Sequence, residues 1–258
     1  MPGSIQKVEI RNRIWSLLTQ AGIALFPGAY GRTPDFRGKR QVSEQLAKVT
    51  EWRDARRVLV LSEPVLRRAR QAVVEEGKVL IVPDLARTGS WIVEIDPAAA
   101  PKGSASDLAA HLDAARTDLP AGVRTLHGRD VAPVDLMVVG AVGVDRGGTR
   151  VGKGLGEADL VYALGRARGF ILPETPVVVL VHDLQLQEEF YSVREPTDLP
   201  VDIIVTPRGA HAVRSLHLRP SGLDRTMITP GRLKAFPGLV PILEREGLYP
   251  PPDAHPSI

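Results

Sequence analysis

The sequence predicts an α/β fold built on a mostly parallel sheet, and three observations predict it. Short apolar runs suited to buried strands recur at Val58–Leu61, Lys78–Val82, Val134–Gly143, Pro176–Val181 and Val201–Val205. Continuous apolar runs, rather than alternating ones, are what strands covered on both faces require. Between the first two runs lies a helical stretch, Val65–Glu76, closed by Gly77. That is a βαβ unit, and its right-handed crossover makes the flanking strands parallel. Finally, the run Val134–Gly143 passes into a glycine-dense loop, 147–156, and then into a helix over Leu155–Arg168.

Taken in order, Ser4–Ala21 reads as an amphipathic helix capped by Ser4, with Ile5, Val8, Ile14, Trp15 and Leu18 on its apolar face and Gly22 at its end. Lys7 and Arg11 are four apart and share one side, where a solvated polar face is the simplest reading. A loop rich in Pro, Gly and basic residues follows, 26–40. Its Arg32, Arg37 and Lys39 are either solvated or the rim of an anionic ligand. A second helix spans Val42–Arg56, with Leu46, Val49 and Trp52 inward. After the βαβ unit come a strand at Ser90–Ile95, a loop, a short helix at Asp107–Ala115 and an edge strand at Gly122–Leu126.

His182-Asp183 follows an apolar strand, where such residues serve as caps or as an acid/base pair. Asp202 opens the last strand and either caps neighbouring backbone or adds a second acid near a metal. Beyond Pro207 a hairpin edge, a helix start at Thr229-Pro230 and helical periodicity over Gly231–Glu246, broken by Pro237 and Pro241, are expected. The tail reads as disordered or as a strap. His211, His217 and His255 lack metal-ligand spacing.

Composition narrows the functions. With 258 residues the chain can bury a substantial core as one large domain. A net charge of +3 and only 5% aromatics weigh against nucleic acid, while leaving it open. There are no cysteines, so disulfide and thiolate chemistry are excluded, which suits a cytoplasmic chain. No apolar stretch reaches membrane-spanning length and no signal-peptide core is evident, so no membrane partner is expected.

The loop reads G-T-R-V-G-K-G-L-G-E-A-D. It is not a Walker A loop. Glycines let backbone N–H groups approach an anion, and the following helix adds its positive dipole end. The same pattern serves a βα turn that needs positive φ. Basic Arg150 and Lys153, four glycines (Gly148, Gly152, Gly154, Gly156) and an early helical Asp159, suited to a metal, together favour a phosphate.

With these residues in view, the chain resembles the 5-formyltetrahydrofolate cyclo-ligase (methenyltetrahydrofolate synthetase) family. Lys7 and Arg11 look like its N-terminal Lys-x-x-x-Arg. Gly143-Val-Asp145 through Gly156 looks like its G-x-D-x-x-G-x-R-x-G-x-G-x-G loop, and Pro200-Val-Asp202 through Thr206 looks like its P-V-D-x-x-x-T strand. The likeness covers about 5–206. It is nearest to the divergent methenyltetrahydrofolate synthase domain-containing branch, given the G-K-G-x-G-x-A-D form of the loop and the VLVHD strand end.

The resemblance implies a sheet with helices on both faces, similar to ribose-phosphate isomerases and CoA transferases. It implies a domain over 1–206, with 207–258 as an extension packed on it. It also implies ATP and Mg2+ as cofactors and a folate-type substrate, in a monomer or homodimer. ATP would phosphorylate the formyl oxygen of 5-formyltetrahydrofolate, and nitrogen 10 would close the ring to give 5,10-methenyltetrahydrofolate. By the same resemblance Lys7, Arg11, Arg150, Gly152, Lys153, Gly154 and Gly156 would hold phosphates, with Arg150 and Lys153 catalytic. Asp159 and Asp202 would hold the metal, and Glu63 would contact the substrate. The family's loop ends G-Y-Y-D, whereas here Glu157 and Ala158 replace both tyrosines. A non-catalytic nucleotide- or RNA-binding relative that keeps the phosphate loop is the competing class. Glu157 is expected to point away from bound phosphate.

Overall fold

A computed structural model describes residues 2–86, 89–99, 122–188, 190, 193–213 and 218–245. The helix expected at Asp107–Ala115, the tail, His217 and His255 lie outside the described residues. Helix α1 spans Pro2–Gln20. Its buried stripe runs through Lys7, Ile14 and Leu18, at the i, i+7, i+11 spacing of one face, with Arg11 on the same line. The basic pair therefore lies on the inward face, not on a solvated one. Val8 is one residue out of register and 47% exposed, contrary to expectation.

The helix expected at Val42–Arg56 divides into α2, Lys39–Leu46, and α3, Thr50–Asp54. Strand β1 (Arg57–Val60), helix α4 (Arg67–Glu75) and strand β2 (Val79–Pro83) form the βαβ unit, with Val58 opposite Leu80 in parallel register. Strands β3 (Ile92–Ile95) and β4 (Val123–Leu126) add antiparallel pairings out to that edge.

The run Val134–Gly143 is not one strand. Strand β5 covers Leu136–Gly140, and the chain then leaves the sheet to form β6 (Gly143–Asp145) in a second, small sheet with β7 (Arg150–Val151) and β9 (Leu186–Gln187). Apolar character continues through the break because both sheets bury it. The break is held by Gln185, whose Nε2 donates to the carbonyls of Ala141 and Val142 at 2.8 and 3.1 Å. Gly143 makes room for α1, since a Cβ there would lie 2.4 Å from Ile14 Cδ1. Asp145 is fully buried as a backbone acceptor, taking Thr149 N–H and Phe190 N–H, each at 2.7 Å.

Helix α5 (Glu157–Arg168), β8 (Val177–Leu180), β10 (Ile203–Thr206) and β11 (Gly209–Ala212) complete the main sheet region, followed by helices α6 (Pro230–Ala235) and α7 (Leu239–Arg245). Among the described residues the main sheet has eight strands in the order β11-β10-β8-β5-β1-β2-β3-β4. The pairings β10-β8, β8-β5, β5-β1 and β1-β2 are parallel, which makes this a mostly parallel α/β fold. Core strands such as β5 and β8 are buried at every position. The periodicity over Gly231–Glu246 breaks at Phe236–Gly238, while Pro241 sits inside the first turn of α7, where its missing N–H is harmless. No helix among the described residues is long and apolar enough to cross a membrane.

Candidate functional site at the glycine strip

In open parallel sheets, ligands gather beyond the carboxyl ends of the strands. Glu63 lies just past β1, the glycine loop past β5, and His182 past β8. The strip 152–157 is the centre of this end. Its residues alternate in the cavity they line, along a chain that bends at 153–155 and takes positive φ at Gly154 and Gly156. Gly152, Gly154 and Gly156 line one cavity of about 150 Å³. Lys153, Leu155 and Glu157 line another of about 380 Å³. One short strip thus divides two cavities, showing bare backbone to the first and side chains to the second.

The first cavity is charged throughout. Lys7 and Arg11 enter from α1, Arg150 from β7 and Arg232 from α6, against Asp159, Glu195 and Asp198. Lys7 Nζ donates to Asp198 Oδ2 at 2.7 Å and to Glu195 Oε2 at 2.9 Å. Arg11 Nε donates to the Gly152 carbonyl at 2.7 Å. Arg150 Nη2 donates to Asp159 Oδ1 at 2.5 Å, and the same oxygen accepts Leu199 N–H at 2.9 Å. Asp159 Oδ2 has no hydrogen bond among the described residues.

Burial works against the Arg150 charge, but the charge and hydrogen bond of Asp159 outweigh it and raise the pKa. Burial lowers that of Arg11 despite Asp198 and Glu195. Burial, then the Asp159 charge, push the Asp198 carboxyl upward even with Lys7 beside it. Helix α5 starts here at Gly156, φ 65°, with no side-chain cap, so its first N–H groups and positive dipole end are open to an anion.

The second cavity is built around Glu63. Thr33 Oγ1 donates to its Oε1 at 3.0 Å, while Oε2 is buried without a partner among the described residues. Burial, then the Glu157 charge, raise its pKa. Lys153 Nζ donates to Glu157 Oε2 at 2.7 Å. Burial opposes the Lys153 charge, and Glu157 more than restores it, so its pKa rises. Arg32 from the basic loop borders this cavity, as do Phe26, 95% exposed, and Phe236. Lys39 is instead paired with Asp35 at 2.8 Å.

The structure therefore brings together Lys7, Arg11, Arg150, Gly152, Gly154, Gly156 and Asp159 around one cavity. It sets Lys153, Glu63 and Glu157 on the other side of the strip. The bends at 153–155 and the positive φ of Gly154 and Gly156 turn the side chains of Lys153, Leu155 and Glu157 to the second cavity. Asp202 joins neither cavity. It precedes β10, at the opposite end of the sheet, where Oδ2 accepts Val177 N–H at 2.7 Å and pairs with Arg219. His182 is a cap, its Nδ1 accepting Leu184 N–H at 3.2 Å, with its pKa lowered by burial.

Glu195, Asp198 and Arg232 escape the sequence reading. The first two stand in E-P-T-D-L-P, just before P-V-D, and acids flanking a strand that closes a charged site are a usable signal. Nothing local marks Arg232. Among the described residues no group of three or more acidic or histidine side chains is suited to hold a metal by itself. The open Oδ2 of Asp159, with Asp198 nearby, fits an ion held by one or two carboxylates together with phosphate oxygens, the usual pattern for Mg2+.

A mouse methenyltetrahydrofolate synthase domain-containing protein is 33% identical over 244 residues, covering 94% of this chain and 64% of that protein. The human counterpart is 31% identical over 246 residues, covering 94% of this chain and 62% of that protein. The chain thus spans less than two thirds of these relatives' length. Among solved structures, the 5,10-methenyltetrahydrofolate synthetase of Aquifex aeolicus aligns with a TM-score of 0.49 at 20% identity, covering 87% of this chain and 97% of that one. That of Mycoplasma pneumoniae aligns at 0.43 and 12%, covering 80% and 98%. The model of the 5-formyltetrahydrofolate cyclo-ligase family matches residues 4–207, and the chain belongs to that family.

Proposed function

We propose that the protein is an ATP- and Mg2+-dependent ligase that converts 5-formyltetrahydrofolate, or a close N-formyl relative, to the 5,10-methenyl product. The observation that carries this reading is the alternation of 152–157 between two cavities. A reaction that moves a phosphoryl group from a nucleotide needs the acceptor oxygen in line and in contact with the γ-phosphorus, so in this reading the ligands occupy the two cavities and meet at the edge of the strip, not through it. Bare glycine backbone lets the two approach.

In this reading the polyphosphate lies in the first cavity, held by Lys7, Arg11, Arg150 and the N–H groups at the start of α5. Asp159, with Asp198, holds Mg2+, which neutralises polyphosphate charge when bound. The folate lies in the second cavity. The formyl oxygen attacks the γ-phosphorus and the bond to the ADP oxygen breaks. Nitrogen 10 then attacks the activated carbon, its proton is lost and phosphate leaves. Lys153 stands on the substrate side, where it stabilises the charge developing on the transferred group. Glu63 Oε2 takes a polar hydrogen of the folate. No tyrosine stands at 157 or 158, and Phe26 at the rim of the second cavity supplies an aromatic face for the pterin.

The test is formation of the methenyl chromophore from 5-formyltetrahydrofolate. Turnover is expected to require ATP and Mg2+ and to fall about 100-fold or more in Lys153→Ala. Absence of product from protein that binds ATP would refute the folate ligase reading and support a nucleotide-binding role.

A further inference from the structure

Residues after 207 lie beyond the family match, yet they reach back over the glycine strip. Helix α6 starts at Thr229, whose Oγ1 accepts Arg232 N–H at 3.3 Å, with Pro230 in its first turn. This fixes the origin of the Arg232 side chain. Its Nε donates to the Leu155 carbonyl at 3.0 Å and its Nη1 to the Met227 carbonyl at 2.8 Å. Its Nη2 makes no hydrogen bond among the described residues, and the guanidinium borders the first cavity. A Cβ placed on Gly156 would come within 2.3 Å of Nη2 and 3.2 Å of Asp159 Oδ2. Gly156 therefore keeps open a gap that an arginine nitrogen and a carboxylate oxygen share.

Arg11 does the same from the other end of the chain. Its Nε holds the Gly152 carbonyl, and its guanidinium carbon would lie 3.7 Å from a Cβ on Gly154. Two arginines thus hook the strip through Nε, one at Gly152 and one at Leu155. A guanidinium pinned by two carbonyls and left with one outward N–H edge is already in its binding geometry, so little side-chain freedom is lost when an anion arrives.

We propose that Arg232 is a polyphosphate-binding residue, contributed by the C-terminal segment, whose Nη2 takes a non-bridging phosphate oxygen of the nucleotide beside Asp159. The proposal rests on the nucleotide reading above. It gives that segment a part in the site, because the cation reaches the cavity only if α6 is folded against Leu155.

Calorimetric titration of the full chain with Mg-ATP and with inorganic tripolyphosphate tests it. Arg232→Ala is expected to weaken both about 10–100-fold, the range for one charged hydrogen bond. Arg232→Lys should recover part of the loss, and affinity for 5-formyltetrahydrofolate should stay within about twofold. Equal affinity of wild type and Arg232→Ala for tripolyphosphate overturns the proposal and leaves the nucleotide reading standing. Equal weakening of tripolyphosphate and folate also overturns it, since that marks a structural strut. Should Arg232→Ala fail to melt cooperatively, Arg232→Gln, which still bonds to Leu155 without the charge, decides by the same criterion. A wild type that binds neither anion overturns the nucleotide reading and this proposal together.

Discussion

Arg150→Met is expected to abolish ATP-dependent turnover and to cost about 3–5 kcal/mol of stability. Arg150 and Asp159 are paired at 2.5 Å with side chains only 4% and 9% exposed. Removing one partner leaves the other charge buried, with little water to replace it. Asp159 keeps only Leu199 N–H on that oxygen. Methionine fills much of the volume, so the loss reports on charge rather than on a cavity. Urea denaturation of Arg150→Met, Asp159→Leu and the double variant gives the coupling. The double variant should regain a large part of the lost stability, because no unpaired charge remains, and should stay inactive. Three denaturation midpoints indistinguishable from wild type would show that the pair is solvated.

Glu63→Gln is expected to stabilise the protein at neutral pH by about 1–3 kcal/mol while lowering turnover about 100-fold. The glutamate is half-buried, with one carboxylate oxygen unpartnered among the described residues, and burial raises its pKa above the ordinary 4.5. A folded pKa above the unfolded one means that the folded state binds the proton more tightly. This contribution is fully present below about pH 4.5 and is lost as pH rises through the folded value. Glutamine has no charge to bury and keeps the bond from Thr33. The gain in stability should therefore be largest at neutral pH and vanish toward pH 4.5. Chemical denaturation at several pH values measures it. A gain independent of pH would show that the carboxyl does not titrate in this range.

Much of the fold was legible because strands and helices declare themselves locally. The apolar runs at 58–61 and 177–180 are strands, and the βαβ unit has the expected parallel pairing. The split of Val134–Gly143 was hidden because its residues are apolar on both sides of the break and the partner that fixes it, Gln185, lies more than 40 residues away. Gly140 and Gly143 were the only local marks. In the site, Lys7 and Arg11 were visible as a pair, but not their burial, which depends on Glu195 and Asp198 at sequence separations of 188 and 191. The G-K-G-L-G-E alternation was written in the sequence, but its meaning appears only once a cavity lies on each side. Asp202 misled because P-V-D reads the same whether the acid stands before or after the binding end of the sheet. The direction of β10 decides it.

In the proposed reading, residues 152–157 border the nucleotide on one side and the folate on the other. Separate titrations of Mg-ATP and 5-formyltetrahydrofolate into wild type, Arg11→Ala and Phe26→Ala test it most directly. The expected result is that Arg11→Ala weakens ATP more than about tenfold and leaves folate within about twofold, while Phe26→Ala does the reverse. Both variants weakening the same ligand, or each weakening both ligands alike, would contradict the division.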